Sequence, residues 1–251
     1  MSGRPAETAV GVIPARFHAT RFPGKPLAPI AGVPMIRRVW EGAHAAKRLH
    51  RVIVATDDAR IAEACAGFGA ETILTSSAHA TGTDRIAEVA ASLCDPVIVN
   101  VQGDEPLIEG FVIDAAVDAL AADAEAPMAT VVHTADPDAL TDPNRVKVVL
   151  DRRGRALYFS RSTIPFQRDA APAAPVWQHV GLYAYRREFL LRFVGLAPTP
   201  AECAESLEQL RALEHGFPIQ VAVIEGWRSA AVDVPADVPR VEERLRALGR
   251  R

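Results

Sequence analysis

Arg16, Arg21 and Lys25 stand within VGVIPARFHATRFPGKP, residues 10 to 26, on a stretch stiffened by Pro14, Pro23, Pro26 and turned at Gly24. Fixed cations suit the oxygens of a polyphosphate: a unit charge pair at 4 Å is worth about 4 kcal/mol at an effective dielectric near 20. The competing reading is a solvated basic surface loop, the ordinary fate of arginine and lysine. Placement favours the polyphosphate. AVGVI (9–13) reads as a buried strand, and open α/β sheets bind ligands beyond the carboxyl ends of their strands. Neither GxxxxGK[ST] nor GxGxxG is present, so this is not a common phosphate loop, and a dinucleotide dehydrogenase lacks its fingerprint.

Phosphoryl chemistry needs a hard cation. Mg²⁺ takes oxygen ligands, usually with only one or two protein carboxylates. Asp104, in VQGDEP, directly follows the apolar run of PVIVNV and is the first candidate ligand. Asp233, in AAVDVP, follows the late run PIQVAVIEG and is the second. Each could instead be an ordinary cap or turn aspartate. Asp57 and Asp58 end another strand; one is expected to cap the next helix, and neither is given a metal role. ATGTDR (80–85) is a polar turn whose Thr81, Gly82 and Thr83 could read a pyrimidine edge. It could equally cap a helix, with Thr83 as N-cap and Arg85 and Glu88 in solvent. No GxSxG motif or Cys–His pairing suggests a covalent intermediate.

The elements that would position these residues alternate. Strands are expected at 9–13, 51–57, 71–75 and 96–106, and helices at 34–46, 58–69, 81–93 and 110–122. This rhythm implies an α/β fold, Rossmann-like, with a mainly parallel sheet flanked by helices. It breaks after 128–135. VKVVLDRRGRALYFSR (146–161) reads as a hairpin turning at Arg153-Gly154. A strand entering a helix (176–194), a helix at 206–217 and a strand at 218–226 follow. Residues 137 to 218 are therefore expected to form an inserted lobe with antiparallel strands, with APAAP (171–175) as its mobile loop. The whole is expected to be a single domain.

Bulk composition excludes several classes. The chain has 251 residues, 28 Lys+Arg, 31 Asp+Glu and a net charge of −3. No basic stripe spans a helix face, so nucleic acid is not an expected partner. Three cysteines without a CxxC pair argue against zinc and fit a reducing cytoplasm. The opening MSGRPAETA has no apolar segment of the secretory kind, and no run approaches the ~18–20 apolar residues of a membrane span. A soluble cytoplasmic protein without membrane contact is expected.

PARFHATRFPGKPLAPIAGVPMI resembles the signature of sugar-nucleotide synthases, in which G-K-P-L follows an arginine-bearing loop. VIVATDD, TGTDRIAEV, VIVNVQGDEPLI, NRVKVV, ALYFSRSTIPF, HVGLYAYR and LEQLRAL extend the likeness over nearly the whole chain after residue 8. Within that group it is most similar to the 3-deoxy-manno-octulosonate (Kdo) cytidylyltransferases. The resemblance implies a nucleotide-diphospho-sugar transferase fold, CTP and Kdo as substrates, CMP-Kdo for lipopolysaccharide synthesis, Mg²⁺ as cofactor and a homodimer formed through the lobe. The same chemistry on another sugar acid, or a non-catalytic nucleotide-binding homologue, are the alternatives.

By the same resemblance, nucleotide contacts fall on Pro14, Ala15, Arg16, Arg21, Lys25, Thr81, Gly82, Thr83 and Arg85. Arg16, Lys25, Asp104 and Asp233 would act in catalysis, the two aspartates as metal ligands. The sugar acid would meet Gln102, Arg161, His179, Tyr183, Glu208 and Gln209. His179 could otherwise be a satisfied core histidine, and Glu208-Gln209 a solvated helix face. This chain departs from the family's V-D-T-P-E-D turn: Val234 replaces the threonine, and Pro239 is expected to move the helix start to a cap at Asp237.

Overall fold

The computed structural model describes residues 9–18, 21–168 and 174–249, so residues 171–173 of the APAAP stretch lie outside the described residues. Two compact units divide the chain: residues 1–114 with 229–251, and residues 115–228. The second unit thus runs beyond both ends of the 137–218 expectation.

In the first unit β1 (Ala9–Ala15), α1 (Met35–His44), β2 (Leu49–Thr56), α2 (Ala59–Ala66), β3 (Glu71–Leu74), α3 (Gly82–Ala91) and β4 (Val97–Asn100) alternate along the chain. The four strands are parallel, in the order β4-β1-β2-β3. Val10, Val12, Ile53, Val54, Ile98 and Val99 are fully enclosed, as expected for parallel strands covered on both faces. α1 buries Met35, Ile36, Val39 and Ala43 and exposes Arg37, so its apolar stripe follows the 3.6-residue period. Pro34 is its N-cap residue and not part of its first turn. Asp58 caps α2, accepting from the Arg60 amide at 2.9 Å, and Gly69 ends that segment at φ 80°.

Chain order reverses at β1: β2 and β3 lie to one side of it and β4 to the other. Such a switch leaves a crevice beyond the two carboxyl ends. The basic loop leaves β1 there, and Gln102-Gly103-Asp104 leaves β4 beside it.

α4 (Gly110–Ala122) leads into the second unit. There β5 (Met128–Thr134), β6 (Lys147–Leu150), β7 (Ala156–Ser160), β8 (Trp177–Arg186), α5 (Arg187–Phe193), α6 (Pro200–Glu205), α7 (Gln209–Glu214) and β9 (Ile219–Val223) follow. The strand order is β9-β5-β8-β6-β7, antiparallel except for β9 on β5. β6 and β7 form the expected hairpin, with Gly154 at φ 76°. The helix expected at 206–217 is shorter. Ser206, at φ 51°, separates α6 from α7, and α6 starts at Pro200 with Thr199 as its N-cap. β7 stands at the end of this sheet with Leu157 61% and Phe166, just beyond it, 86% exposed.

The chain returns to the first unit for α8 (Val238–Ala247), which follows Asp237 and carries Pro239 in its first turn. Val241 and Leu245 of α8 pack in a core with Ile30, Met35 and Leu107. Among the described residues no helix is long and apolar enough to cross a membrane.

Candidate active site

The switch-point crevice is a cavity of about 280 Å³ lined by Pro14, Ala15, Arg16, Lys25, Pro26, Gly82, Gln102, Gly103 and Asp104. β1 and β4 run parallel from Val10↔Ile98 to Val12↔Asn100, and the Val101 amide still donates to Val12 O at 3.0 Å. Gly103 then passes so close that a Cβ there would lie 3.0 Å from Pro14 O. That approach sets Asp104 opposite the loop that follows β1.

The loop is held by its own backbone. The Gly24 amide donates to Phe17 O at 2.8 Å, and Gly24, at φ 73°, turns the chain into a 3-10 segment, Lys25–Leu27. A positive φ is accessible to glycine without strain. Lys25 Nζ consequently donates to Asp104 Oδ2 at 2.9 Å and to Val232 O at 2.8 Å. Arg21 meets Asp233 Oδ1 at 3.1 Å, on the exposed rim. The two acids are joined through the main chain, because the Val232 amide donates to Asp104 O at 2.9 Å. The Asp237 carboxylate accepts from the Asp233 and Val234 amides at 2.8 and 3.0 Å and so fixes the second acid's turn. Arg16 donates to the carbonyls of Ala80 and Thr81, tying the basic loop to the threonine turn. Burial and the neighbouring Arg85 push the Arg16 guanidinium below its ordinary pKa.

The threonine turn differs from expectation. Thr81, not Thr83, is the N-cap of α3: its hydroxyl accepts from the Asp84 amide at 3.0 Å while Asp84 accepts from the Thr81 amide at 2.9 Å. This reciprocal box satisfies two amides at once, which a cap at Thr83 would not do. Thr83 is buried inside the helix. Arg85 is not in solvent and has no surface to offer a nucleotide. Its fully enclosed guanidinium donates to Thr75 Oγ1 and pairs with Asp57 at 3.1 Å, so it braces the turn from behind. Glu88 binds His79 and the Ser76 amide instead of water alone.

Several supporting residues were not singled out from the sequence. Arg60 lies 3.3 Å above the Phe17 ring and pairs with Asp58, whose carboxyl that hydrogen bond holds at about 2. An aromatic between cations, ARFHATRF, was the available signal. Glu105 is buried beside Asp104; its carboxylate accepts from Ser229 Oγ and the Ala230 amide, anchoring the segment that leads to Asp233.

The second unit holds its own cluster. His179 and Tyr183 face the same way despite a bulge between Val180 and Tyr183, with ring centroids 5.3 Å apart. His179 Nε2 lies 2.9 Å from Thr130 Oγ1, and burial pushes its pKa down to about 3, so the ring is neutral. Burial, with the charge of Glu208 nearby, raises Tyr183 well above the ordinary phenol. Gln209 is buried on α7, and its Nε2 has no hydrogen-bond partner among the described residues. A buried amide without a partner is uncommon in folded chains.

Arg161 is otherwise engaged than expected. Its guanidinium donates to Glu205 O at 2.6 Å, Pro143 O at 2.9 Å and Ser206 O at 3.2 Å, and its amide donates to Glu205 Oε2. Three carbonyls therefore share the guanidinium that the sequence placed with the sugar acid. Behind it Lys147, fully buried, donates to the carbonyls of Asp142, Arg145 and Arg161 at 2.9, 2.6 and 2.6 Å. A lysine at an inward strand position was the signal in NRVKVV.

Known proteins are similar to this chain. A cytidylyltransferase family model matches residues 10–222. A 3-deoxy-manno-octulosonate cytidylyltransferase of Syntrophotalea carbinolica is 52% identical over 246 residues, 94% of this chain and 98% of the relative. One of Myxococcus xanthus is 51% identical over 241 residues, 96% and 97% of the two chains. Among solved structures, a CMP:2-keto-3-deoxy-manno-octonic acid synthetase complexed with CTP superimposes with a TM-score of 0.90 at 40% identity, covering 96% of this chain and 99% of its own. A cytidylyltransferase from Leptospira borgpetersenii, at 15% identity and a TM-score of 0.63, shares the fold alone. From the model match and the near-complete coverage at about half identity, the chain belongs to the cytidylyltransferase family.

Proposed function

We propose that this chain transfers CMP from CTP to Kdo, releasing pyrophosphate. The observation that carries the reading is the switch-point cavity, where Lys25 and Asp104 stand 2.9 Å apart with Arg16 on the same wall. CTP would lie over the ends of β1 and β4. Arg16, Arg21 and Lys25 would hold the triphosphate, and the Thr81–Gly82 turn would line the cytosine and ribose. Backbone amides and glycines at such strand ends let a nucleotide approach closely.

The sugar acid would bind through side chains of the second unit. His179, Tyr183, Glu208 and Gln209 can accept or donate hydrogen bonds to hydroxyls, and Gln102 lines the nucleotide cavity. The anomeric hydroxyl of Kdo attacks the α-phosphorus, forming the sugar–phosphorus ester as the bond to the β-phosphate breaks. Pyrophosphate takes the electron pair, and the hydroxyl proton goes to solvent. Fixed positive charge that meets the developing charge without reorganising is how such a pocket accelerates phosphoryl transfer.

Asp104 and the Val232 carbonyl are hard oxygen donors that meet at Lys25 Nζ, Asp233 is the next residue after Val232 and faces Arg21, and this donor set fits Mg²⁺. Bound there with the triphosphate, Mg²⁺ would offset phosphate charge and polarise the attacking hydroxyl. Among the described residues no cluster of three His, Cys, Asp or Glu could hold a metal alone; the remaining ligands of such an ion would be phosphate and water. Exposed Leu157 and Phe166 at the end of the second unit's sheet support a homodimer formed there, checked by sedimentation at micromolar concentration. A cytoplasmic site of action accords with CTP as substrate.

Pyrophosphate release from CTP, measured with and without Kdo and with and without Mg²⁺, tests the reading. Release that needs both is expected. Release with another sugar acid but not Kdo would move the substrate, and none with any acceptor would leave a nucleotide-binding homologue.

A further inference from the structure

The cations meant for a triphosphate are not idle in this chain. Lys25 Nζ is shared between Asp104 Oδ2 and Val232 O, with the Lys25 and Asp104 side chains only 17% and 28% exposed. Arg21 meets Asp233 on the rim, where the pair is 66% and 39% exposed. The residues expected to bind metal are thus the counter-ions of the residues expected to bind phosphate.

We infer that Asp104, with a smaller share from Asp233, makes the pocket selective for the metal-bound triphosphate over the free one. The inference rests on the nucleotide reading above. A metal-free triphosphate must take Lys25 away from Asp104 and then lie against the carboxylate it has uncovered. A partly buried charge left without its partner is costly. Asp104 and Asp233 would instead hold a divalent cation arriving with the nucleotide, which would leave Lys25 and Arg21 free for the phosphates. The metal alone has the mirror problem, since it must displace the ammonium into a site without phosphate. Metal and nucleotide therefore bind cooperatively, and by linkage each raises the other's affinity equally.

The consequence runs against the usual expectation for a metal ligand. Asp104→Asn should weaken CTP binding in Mg²⁺ yet strengthen it in EDTA. Removing a competing partner of this exposure should give roughly a tenfold gain in EDTA, and Asp233→Asn less than about threefold because its pair is solvent-screened. The gain should be at least about threefold smaller in a Lys25→Met background, where no pair is left to break and only repulsion from the bare carboxylate is relieved. Mn²⁺ alone, followed by electron paramagnetic resonance, should bind Lys25→Met more tightly than the wild type.

Isothermal calorimetry with CTP, in Mg²⁺ and in EDTA, on the full chain decides the matter. A gain in EDTA for Asp104→Asn that is at least about threefold smaller with Lys25→Met supports the inference. An unchanged or weaker affinity in EDTA, or a gain that falls by less than about threefold without Lys25, overturns it while leaving the nucleotide reading intact. No binding of CTP to the wild type in Mg²⁺ overturns both. Should Asp104→Asn fail to fold, the Mn²⁺ affinity of Lys25→Met carries the test alone, and an affinity no tighter than wild type overturns the inference.

Discussion

Replacing Lys147 by methionine removes one buried ammonium while nearly preserving volume. Its three acceptors, the carbonyls of Asp142, Arg145 and Arg161 at 2.6–2.9 Å, then lose their donor. Burial lowers the lysine's pKa, while Asp142 and Glu205 raise it, so the ammonium is held against a desolvation cost. Each buried carbonyl left unsatisfied costs about 1–3 kcal/mol, and relief of the ammonium's own desolvation returns part of the total. A net loss of about 3 kcal/mol is expected, which for a chain of this size lowers Tm by roughly 6–12 °C. The effect should reach the sugar side chains. Arg161, whose carbonyl Lys147 holds, carries Glu205 and Ser206 on its guanidinium, and only Leu207 separates these from Glu208 and Gln209. The KM for the sugar acid should rise about tenfold, a loosening worth ~1.4 kcal/mol. That for CTP should stay within about twofold, because the nucleotide cavity is lined wholly by the other unit. Thermal melting by circular dichroism and steady-state kinetics with each substrate varied provide the assay. A Tm within about 2 °C of wild type together with an unchanged sugar KM would refute the reasoning, since a net loss of only ~0.5–1 kcal/mol would mean the carbonyls find water at once.

Arg60→Ala removes the guanidinium stacked 3.3 Å over Phe17 and frees the start of the basic loop. The KM for CTP should rise several-fold, Phe17→Leu should do the same, and the double variant should add little; additive effects would show that the stack does not orient the loop. His179 titrates near 3 in the folded chain, below its ordinary 6.5, because burial disfavours the imidazolium. The unfolded chain therefore takes up this proton first, and stability is lost as pH falls from about 6.5 towards 3, by at most about 1.4 kcal/mol per pH unit. Urea unfolding of His179→Phe across that range should show a shallower acid slope, and an identical slope would contradict the assignment.

Much of the first unit was legible because its signals are local. Near-continuous apolar runs marked β1, β2 and β4, and the rhythm of strand and helix implied their parallel pairing. A helix cap at Asp57 or Asp58, which the structure places at Asp58, and the turn at Gly154 were likewise read from short-range chemistry. The adjacent departure of Arg16, Lys25 and Asp104 from two strand ends followed from the same rhythm once the sheet's order was known. Thr81 and Thr83 were harder to separate. Both can cap, and only the reach of Asp84 back to the Thr81 amide decides between them.

The sequence by itself determined which segments are strands and helices, that cations follow the first strand, and that a carboxylate follows the fourth. Those properties depend on a residue and its near neighbours. Only the tertiary structure decided what each charged group touches. Lys25 meets Asp104 and Val232, 79 and 207 residues away, Arg85 turns inward to Asp57, and Arg161 closes on three carbonyls. A long cationic side chain reaches several ångströms from its backbone and must be satisfied wherever it is buried. Its partner is therefore chosen by whatever acceptors folding brings within that reach, which no local pattern records.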